Sequence, residues 1–297
     1  MWDCAIVGGG PAGLTAATYL GRFKRQIVLI DAGESRLARV PLSRNVPGFP
    51  AGVAGRDLLA RMQDQASRYG AVFRAGRIDR IKRAPTGFSL VMGEQRIAAK
   101  TVLLATGAKL VEPDVPNLDH ALANGLIRYC PICDGYEAQG KNIATLGGRP
   151  GAIAEAHFLR TYSERVTYLW LGEGRPTDEE RSIALAEGIR VSEAPLRELR
   201  IENTVEATMD GESERFDVLY PCLGCDPVNE LAVGVSIDVT KQGGIRADAH
   251  QRTSVEGIYA AGDVLQGLDQ IASACGQAAI AATAIHNDLK SRSQTAG

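Results

Sequence analysis

The sequence predicts an α/β fold with two Rossmann-like dinucleotide-binding domains, on three observations. An apolar run, Cys4-Ala5-Ile6-Val7, leads into Gly8-Gly9-Gly10-Pro11-Ala12-Gly13. A second apolar run, Asn142-Ile143-Ala144-Thr145-Leu146, leads into Gly147-Gly148. With 297 residues the chain exceeds what one hydrophobic core usually fills, so two domains of roughly 100 to 200 residues are expected.

The first of these segments is the stronger. Gly8, Gly10 and Gly13 match G-x-G-x-x-G between a strand and a helix expected over 14–20. In that motif the first glycine permits the tight turn, the second lets backbone approach a pyrophosphate, and the third allows the helix to pack closely on the strand. A second strand over 26–31 ends in Asp31, an acid placed to accept ribose hydroxyls. In the later segment a helix is expected over 152–160 and a strand over 166–171, the pattern of another βαβ unit.

Between the two lies Cys130-Pro131-Ile132-Cys133-Asp134. Two thiols at C-x-x-C spacing, followed at once by a carboxylate, are the parts of a redox-active dithiol with its own proton donor. The competing reading is half a zinc site completed by Cys222-Leu223-Gly224-Cys225, but the chain between the pairs is far longer than the ~15 to 20 residues of a zinc ribbon. Cys222 and Cys225 read more simply as small buried residues, as do Cys4 and Cys275. The histidines, His120, His157, His250 and His286, have no other ligand type near them in sequence.

Composition excludes several classes of function. The chain is 45% hydrophobic and 23% charged with a formal net charge of −2, which offers no basic groove for nucleic acid. No apolar run reaches the ~18 to 20 residues of a membrane span, and Met1 leads into a strand rather than a basic, apolar leader. Six cysteines are too few for a disulfide-stapled secreted scaffold, so a cytoplasmic location is expected, with no metal.

Three further segments extend the pattern: Asn45-Val46-Pro47-Gly48-Phe49-Pro50, then Thr106-Gly107-Ala108 after an apolar strand, then Gly257-Ile258-Tyr259-Ala260-Ala261-Gly262-Asp263. Taken in order with residues 8–13 and 130–135, they make the chain resemble the low-molecular-weight, bacterial-type thioredoxin reductases over nearly its whole length. The resemblance implies FAD held by a domain made of both chain ends, residues 1–111 and 236–297. A central NAD(P)-binding-like domain, residues 112–235, would be inserted in it and carry the dithiol, both domains being of three-layer ββα type. It implies flavin contacts from Gly8, Gly10, Pro11, Ala12, Gly13, Asp31, Asn45, Thr106, Gly107, Ala108, Gly262, Asp263, Gln270 and Ile271. Cys133 would face the flavin, Cys130 would exchange with thioredoxin or a similar protein disulfide, and Asp134 would act as general acid and base. A homodimer is implied, with domain rotation about hinges near 110–114 and 226–231.

The chain departs from that family at its second nucleotide turn, where Arg149 stands at the position of the second fingerprint glycine. The strand over 166–171 is followed by Gly172-Glu173-Gly174-Arg175 rather than a cluster of cations for a 2′-phosphate. NADPH use is therefore doubtful, and a ferredoxin-type donor is an alternative. Asp269-Gln270 also stands where the family often has Arg-Gln. Two other functions are to be weighed against the disulfide reductase: a dithiol oxidase that passes electrons to oxygen, and a non-enzymatic flavin redox sensor. Asp134, where the oxidases often carry His, favours the reductase.

Overall fold

The computed structural model describes residues 1–295. By backbone contacts the chain divides into two units, one of Met1–Leu42, Val46–Lys109 and the described residues from Asp226 on, the other of Ser43–Asn45 and Leu110–Cys225. The first unit begins with β1 (Trp2–Val7), α1 (Pro11–Arg22), β2 (Ile27–Asp31), α2 (Gly55–Arg68), β3 (Val72–Ala75), β4 (Arg80–Ala84), β5 (Gly87–Met92) and β6 (Gln95–Leu104). β7 (Ala108–Leu110) carries the chain out. The second unit holds α3 (Leu118–Ala123), α4 (Pro131–Asp134), β8 (Ile143–Gly147), α5 (Ala154–Leu159), β9 (Val166–Trp170) and α6 (Asp178–Ala186). It continues with β10 (Arg190–Val191), β11 (Leu196–Ile201), β12 (Val205–Met209), β13 (Glu212–Phe216) and β14 (Val218–Cys222). β15 (Cys225–Pro227) carries the chain back and pairs with β7; α7 (Glu230–Val233), β16 (Ile258–Ala260) and α8 (Ile271–Thr295) then complete the first unit.

In the first unit β3, β2, β1 and β6 lie side by side in parallel, and β16 joins the end of β6 in the same sense. β5 and β4 continue antiparallel from the beginning of β6. Side chains of a strand alternate between faces, and here both faces are covered. Cys4, Ile6, Ile27, Leu29 and Leu103 pack with Leu14, Leu20, Ala278 and Ile285 of α1 and α8, whereas Ala5, Val7, Val28, Ile30 and Leu104 pack with Ile81, Phe88 and Leu90 of β4 and β5. One face thus meets helices and the other a β layer, which is the ββα arrangement. Each Leu, Ile or Val side chain so buried contributes about 1.5–3 kcal/mol. Because β1 and β16 both pair with β6, the two chain ends share one sheet.

The second unit repeats the plan with a parallel sheet in the order β10-β9-β8-β14 and an antiparallel sheet β11-β12-β13. Ile143, Tyr168 and Tyr220 face Ala156 and Leu159 of α5, while Ala144, Leu146 and Leu219 face Val205, Ala207 and Phe216. The helix predicted over 152–160 is shorter, because residues 149–153 form successive turns before α5 begins. The return crossing lies at 225/226 rather than 235/236, since Leu231, Ala232 and Val235 join the core that holds Ile81 and Phe88.

Candidate functional site

Cys130 ends an extended segment, and Pro131 opens the short helical turn α4. Proline suits that position because the missing N–H would be unpaired there in any case and its fixed φ is already helical. The turn brings Cys133 back onto Cys130, and the two form a disulfide with S–S 2.06 Å and Cα–Cα 5.2 Å. The backbone N–H of Cys133 donates to the carbonyl of Cys130 at 2.9 Å and to its Sγ at 3.1 Å. A donor aimed at Sγ of Cys130 favours negative charge on that sulfur once the pair is reduced. Gly135 closes the turn; a Cβ there would fall 2.5 Å from the Pro131 carbonyl oxygen and 2.6 Å from the Tyr162 ring. Ile132 and Tyr136 are exposed beside the disulfide.

Asp134 is half-buried, and its surroundings set its chemistry. Tyr220 Oη donates to Asp134 Oδ1 at 3.0 Å and lies 3.2 Å from its carbonyl oxygen, which also accepts from Arg128 Nη1 at 2.9 Å. Burial pushes the Asp134 carboxyl up to about 6, against the opposing pull of the Arg128 charge and the Tyr220 hydrogen bond. A carboxyl in that range gives up and takes back a proton near neutrality. Tyr220 is fully buried in the middle of β14, and burial raises its own hydroxyl, so it stays a donor. The sequence reading missed both Tyr220 and Arg128. The available signal was a hydroxyl inside an otherwise apolar strand, which needs a partner when buried.

In the first unit the glycine turn is built by contact. Gly8 has φ +112°, and a Cβ there would fall 2.2 Å from the Ala105 carbonyl oxygen. A Cβ on Gly13 would fall 1.9 Å from the Gly8 carbonyl oxygen, so the close packing of helix on strand excludes a side chain. Gly10 is different: its Cβ position has just Ser35 Oγ nearby, at 3.5 Å, which leaves room for a phosphate. Pro11 and Ala12 start α1 without a side-chain cap, so its first N–H groups and positive dipole end suit an anion. Asp31 Oδ1 accepts the N–H of Gly9 at 3.0 Å, orienting the carboxylate at the end of β2.

The C-terminal motif meets this turn. A Cβ on Gly262, which has φ +83°, would lie 3.0 Å from Ala12 Cβ, and the Gly262 N–H donates to Gln277 Oε1 at 2.9 Å. Asp263 accepts from Arg36 Nη2 at 2.6 Å, and Arg36 Nη1 lies 3.8 Å from Asp269. Burial raises the Asp263 carboxyl while Arg36 opposes the rise. Arg36 thus supplies a positive charge beside Asp269, where the family pattern carries its own arginine. Thr106 Oγ1 donates to the Val228 carbonyl at 2.6 Å, Gly107 has φ +71°, and Ala108 opens β7. Gln270 and Ile271 stand at the start of α8, with Ile271 packed against Leu37 and Leu58. Asn45 falls in the other unit, where Ser43 Oγ donates to its Oδ1 at 3.0 Å. Within the first unit, open space at Gly10, an uncapped helix and an acid at the end of β2 fit the pyrophosphate and ribose of a dinucleotide.

The sequence profile of the pyridine nucleotide-disulphide oxidoreductases matches residues 2–278. The chain belongs to that family. It is 28% identical over 312 residues to a thioredoxin reductase of Bacillus subtilis, covering 99% of this chain and 97% of the relative. A thioredoxin reductase of Mycolicibacterium smegmatis is 28% identical over 280 residues, covering 89% and 88%. The crystal structure of thioredoxin reductase from Streptococcus pyogenes superimposes with a TM-score of 0.90 at 27% identity, covering 98% of this chain and 99% of that one. The resemblance to bacterial-type thioredoxin reductases therefore extends along the whole chain of this oxidoreductase.

Cys4, Cys222, Cys225 and Cys275 of this pyridine nucleotide-disulphide oxidoreductase form no disulfide. Cys222 Sγ donates to the Tyr220 carbonyl at 3.3 Å, and burial together with the neighbouring Glu155 carboxyl pushes its thiol well up. Cys4 is fully buried and its thiol is pushed up to about 12. Both are poor nucleophiles. Among the described residues no helix is long and apolar enough to cross a membrane, and no cluster of His, Cys, Asp and Glu is arranged to hold a metal.

Proposed function

We propose that this chain is an FAD-dependent disulfide reductase of thioredoxin reductase type, acting in the cytoplasm as a homodimer. The observation that carries the reading is the Cys130–Cys133 disulfide followed by a half-buried Asp134 held near neutrality. The flavin would be held by Gly8, Gly10, Pro11, Ala12, Gly13, Asp31, Asn45, Thr106, Gly107, Ala108, Gly262, Asp263, Gln270 and Ile271. Bound FAD supplies an electron pair.

With two electrons and one proton the Cys130–Cys133 bond opens to a Cys130 thiolate and a Cys133 thiol. Cys130, whose sulfur accepts the Cys133 N–H, is the better thiolate and attacks one sulfur of the partner's disulfide. A Cys130–partner disulfide forms and the first partner sulfur leaves as a thiolate. Asp134, as carboxylate, takes the proton of Cys133; that sulfur attacks Cys130, the Cys130–Cys133 bond re-forms, and the second partner sulfur leaves. Asp134 then returns the proton to a leaving thiolate. Tyr220 and Arg128 are positioning residues, since they hold Asp134 and touch no reacting sulfur in this scheme.

The partner is thioredoxin or a similar redox protein, supported by the names of the relatives and by Ile132 and Tyr136 exposed beside the disulfide. The flavin's reductant is NADPH, one of the pyridine nucleotides that the family's name refers to, or a ferredoxin-type one-electron carrier. The test is anaerobic photoreduction of the FAD-loaded protein followed by oxidised thioredoxin. Free thiols should appear on thioredoxin, and Cys133→Ser should stop at a covalent Cys130–thioredoxin adduct. Thioredoxin left oxidised by the photoreduced protein refutes the reading.

A further inference from the structure

We infer that the crevice above the β8–α5 turn, where a nicotinamide dinucleotide would lie in a fold of this kind, is closed by the chain's own side chains. Neither NADPH nor NADH is then the reductant that this oxidoreductase binds there. The inference deepens the proposed function by removing one class of donor from it.

The two nucleotide turns of the molecule can be compared position by position. In the first, the middle glycine of G-x-G-x-x-G is Gly10, with open space beyond it. In the second that position is Arg149, and its guanidinium lies across the backbone of Gly224: a Cβ built on Gly224 would fall 2.8 Å from Arg149 Cζ and Nη1. The adjacent Gly148 is covered as well, since its Cβ position lies 2.9 Å from Leu223 Cδ2 and 3.5 Å from Leu171 Cδ1. Arg149, itself exposed, and two leucines therefore lie against Gly224 and Gly148, beside the turn where backbone should approach a pyrophosphate.

The helix end is also altered. α1 starts directly after its turn and runs 12 residues, so its N–H groups and dipole point at the ligand position. After β8 the chain makes tight turns instead. The Ala152 N–H donates to the Arg149 carbonyl at 3.3 Å and the Ala154 N–H to the Gly151 carbonyl at 3.2 Å, before a helix of just 6 residues. Two backbone donors of this stretch are thus spent inside the turn.

The adenosine end fares no better. β9 ends in Trp170, whose Nε1 donates to the Ser192 carbonyl at 3.1 Å, and Leu171 follows, partly exposed. An NAD ribose calls for an acid at this strand end and an NADP 2′-phosphate for an arginine beside it. Arg175 instead lies over the Trp170 ring at 5.8 Å, and Arg181 pairs with Glu193 at 3.1 Å. An indole stands in place of the acid, and the arginine nearest to it is stacked on that indole.

The test is calorimetric and spectroscopic titration of the FAD-loaded protein without oxygen, with NADPH and NADH up to about 1 mM, the top of the usual KM range. No saturable heat and no flavin bleaching are expected, whereas photoreduction of the same sample should bleach the flavin and free the thiols of Cys130 and Cys133. Saturable binding or rapid bleaching by either nucleotide overturns the inference. The double variant Arg149→Gly, Leu223→Ala should gain measurable heat with NAD⁺ or NADP⁺; a folded variant with no gain overturns the assignment of closure to these side chains. Photoreduction that leaves the disulfide intact would count against the proposed function and leave the nucleotide result standing.

Discussion

Replacing Tyr220 by Phe should move the pH dependence of thiol exchange upward, because Tyr220 is the hydrogen-bond donor that restrains the rise of the Asp134 carboxyl. The ring is fully buried, so Phe keeps the packing of β14 and removes one oxygen. That oxygen donates to Asp134 Oδ1 at 3.0 Å. A hydrogen bond to a charged group is worth about 1.5–3 kcal/mol, and about 1.36 kcal/mol equals one pK unit, so a half-buried carboxylate should lose about one unit. The midpoint then moves from about 6 to about 7. If Asp134 must be ionised to take the Cys133 proton, the active fraction at pH 6 drops from about one half to about one tenth, roughly a five-fold loss, which disappears above about pH 8. The assay is single-turnover reduction of thioredoxin by anaerobically photoreduced protein across pH 5 to 9, with thermal unfolding run alongside. An unshifted profile in a folded Tyr220→Phe protein, or a shift to lower pH, would refute this account of Asp134.

Asp134→Asn should abolish that pH limb and also alter stability. The Asp134 carboxyl is held above its ordinary value of 3.8, so the folded state keeps the proton longer than the unfolded chain; its contribution is complete below about pH 4 and is lost as pH rises through about 6. The variant should therefore unfold at a higher temperature than wild type at pH 8, the gap closing toward pH 4 in a melting series. Gly135→Ala drives a methyl group to 2.5 Å from the Pro131 carbonyl oxygen, and chemical denaturation should show a loss of about 1–3 kcal/mol. Gly13→Ala meets the Gly8 carbonyl oxygen at 1.9 Å, so purified protein should carry much less flavin by absorbance while the second unit keeps its circular dichroism. Cys222→Ala removes a buried thiol with no part in exchange, and the rate of thioredoxin reduction should stay within about two-fold of wild type.

What the sequence by itself determined is local chemistry. Gly8, Gly10 and Gly13 specify a turn because a missing Cβ is a property of the residue, and Cys130-Pro131-Ile132-Cys133 specifies a dithiol on one helical turn because the spacing is short. The α/β class follows from apolar runs that end in glycine turns, and the doubt about NADPH from Arg149 and from Gly172-Glu173-Gly174-Arg175 in place of a cation cluster. Tertiary structure decided whatever depends on burial or on distant partners. Asp134 is tuned by Tyr220, 86 residues away, and Asp263 is paired with Arg36 across 227 residues. Leu223 and Gly224 complete the closure begun by Arg149 after the whole of the second sheet has folded between them. The start of α5 and the crossing at 225/226 likewise follow from packing, since the helical pattern over 152–160 does not register that residues 149–153 bond among themselves, nor does residue order tell which core takes Leu231 and Ala232. A side chain's shape travels with its letter; its proton affinity belongs to the dielectric and the dipoles that other segments bring to it.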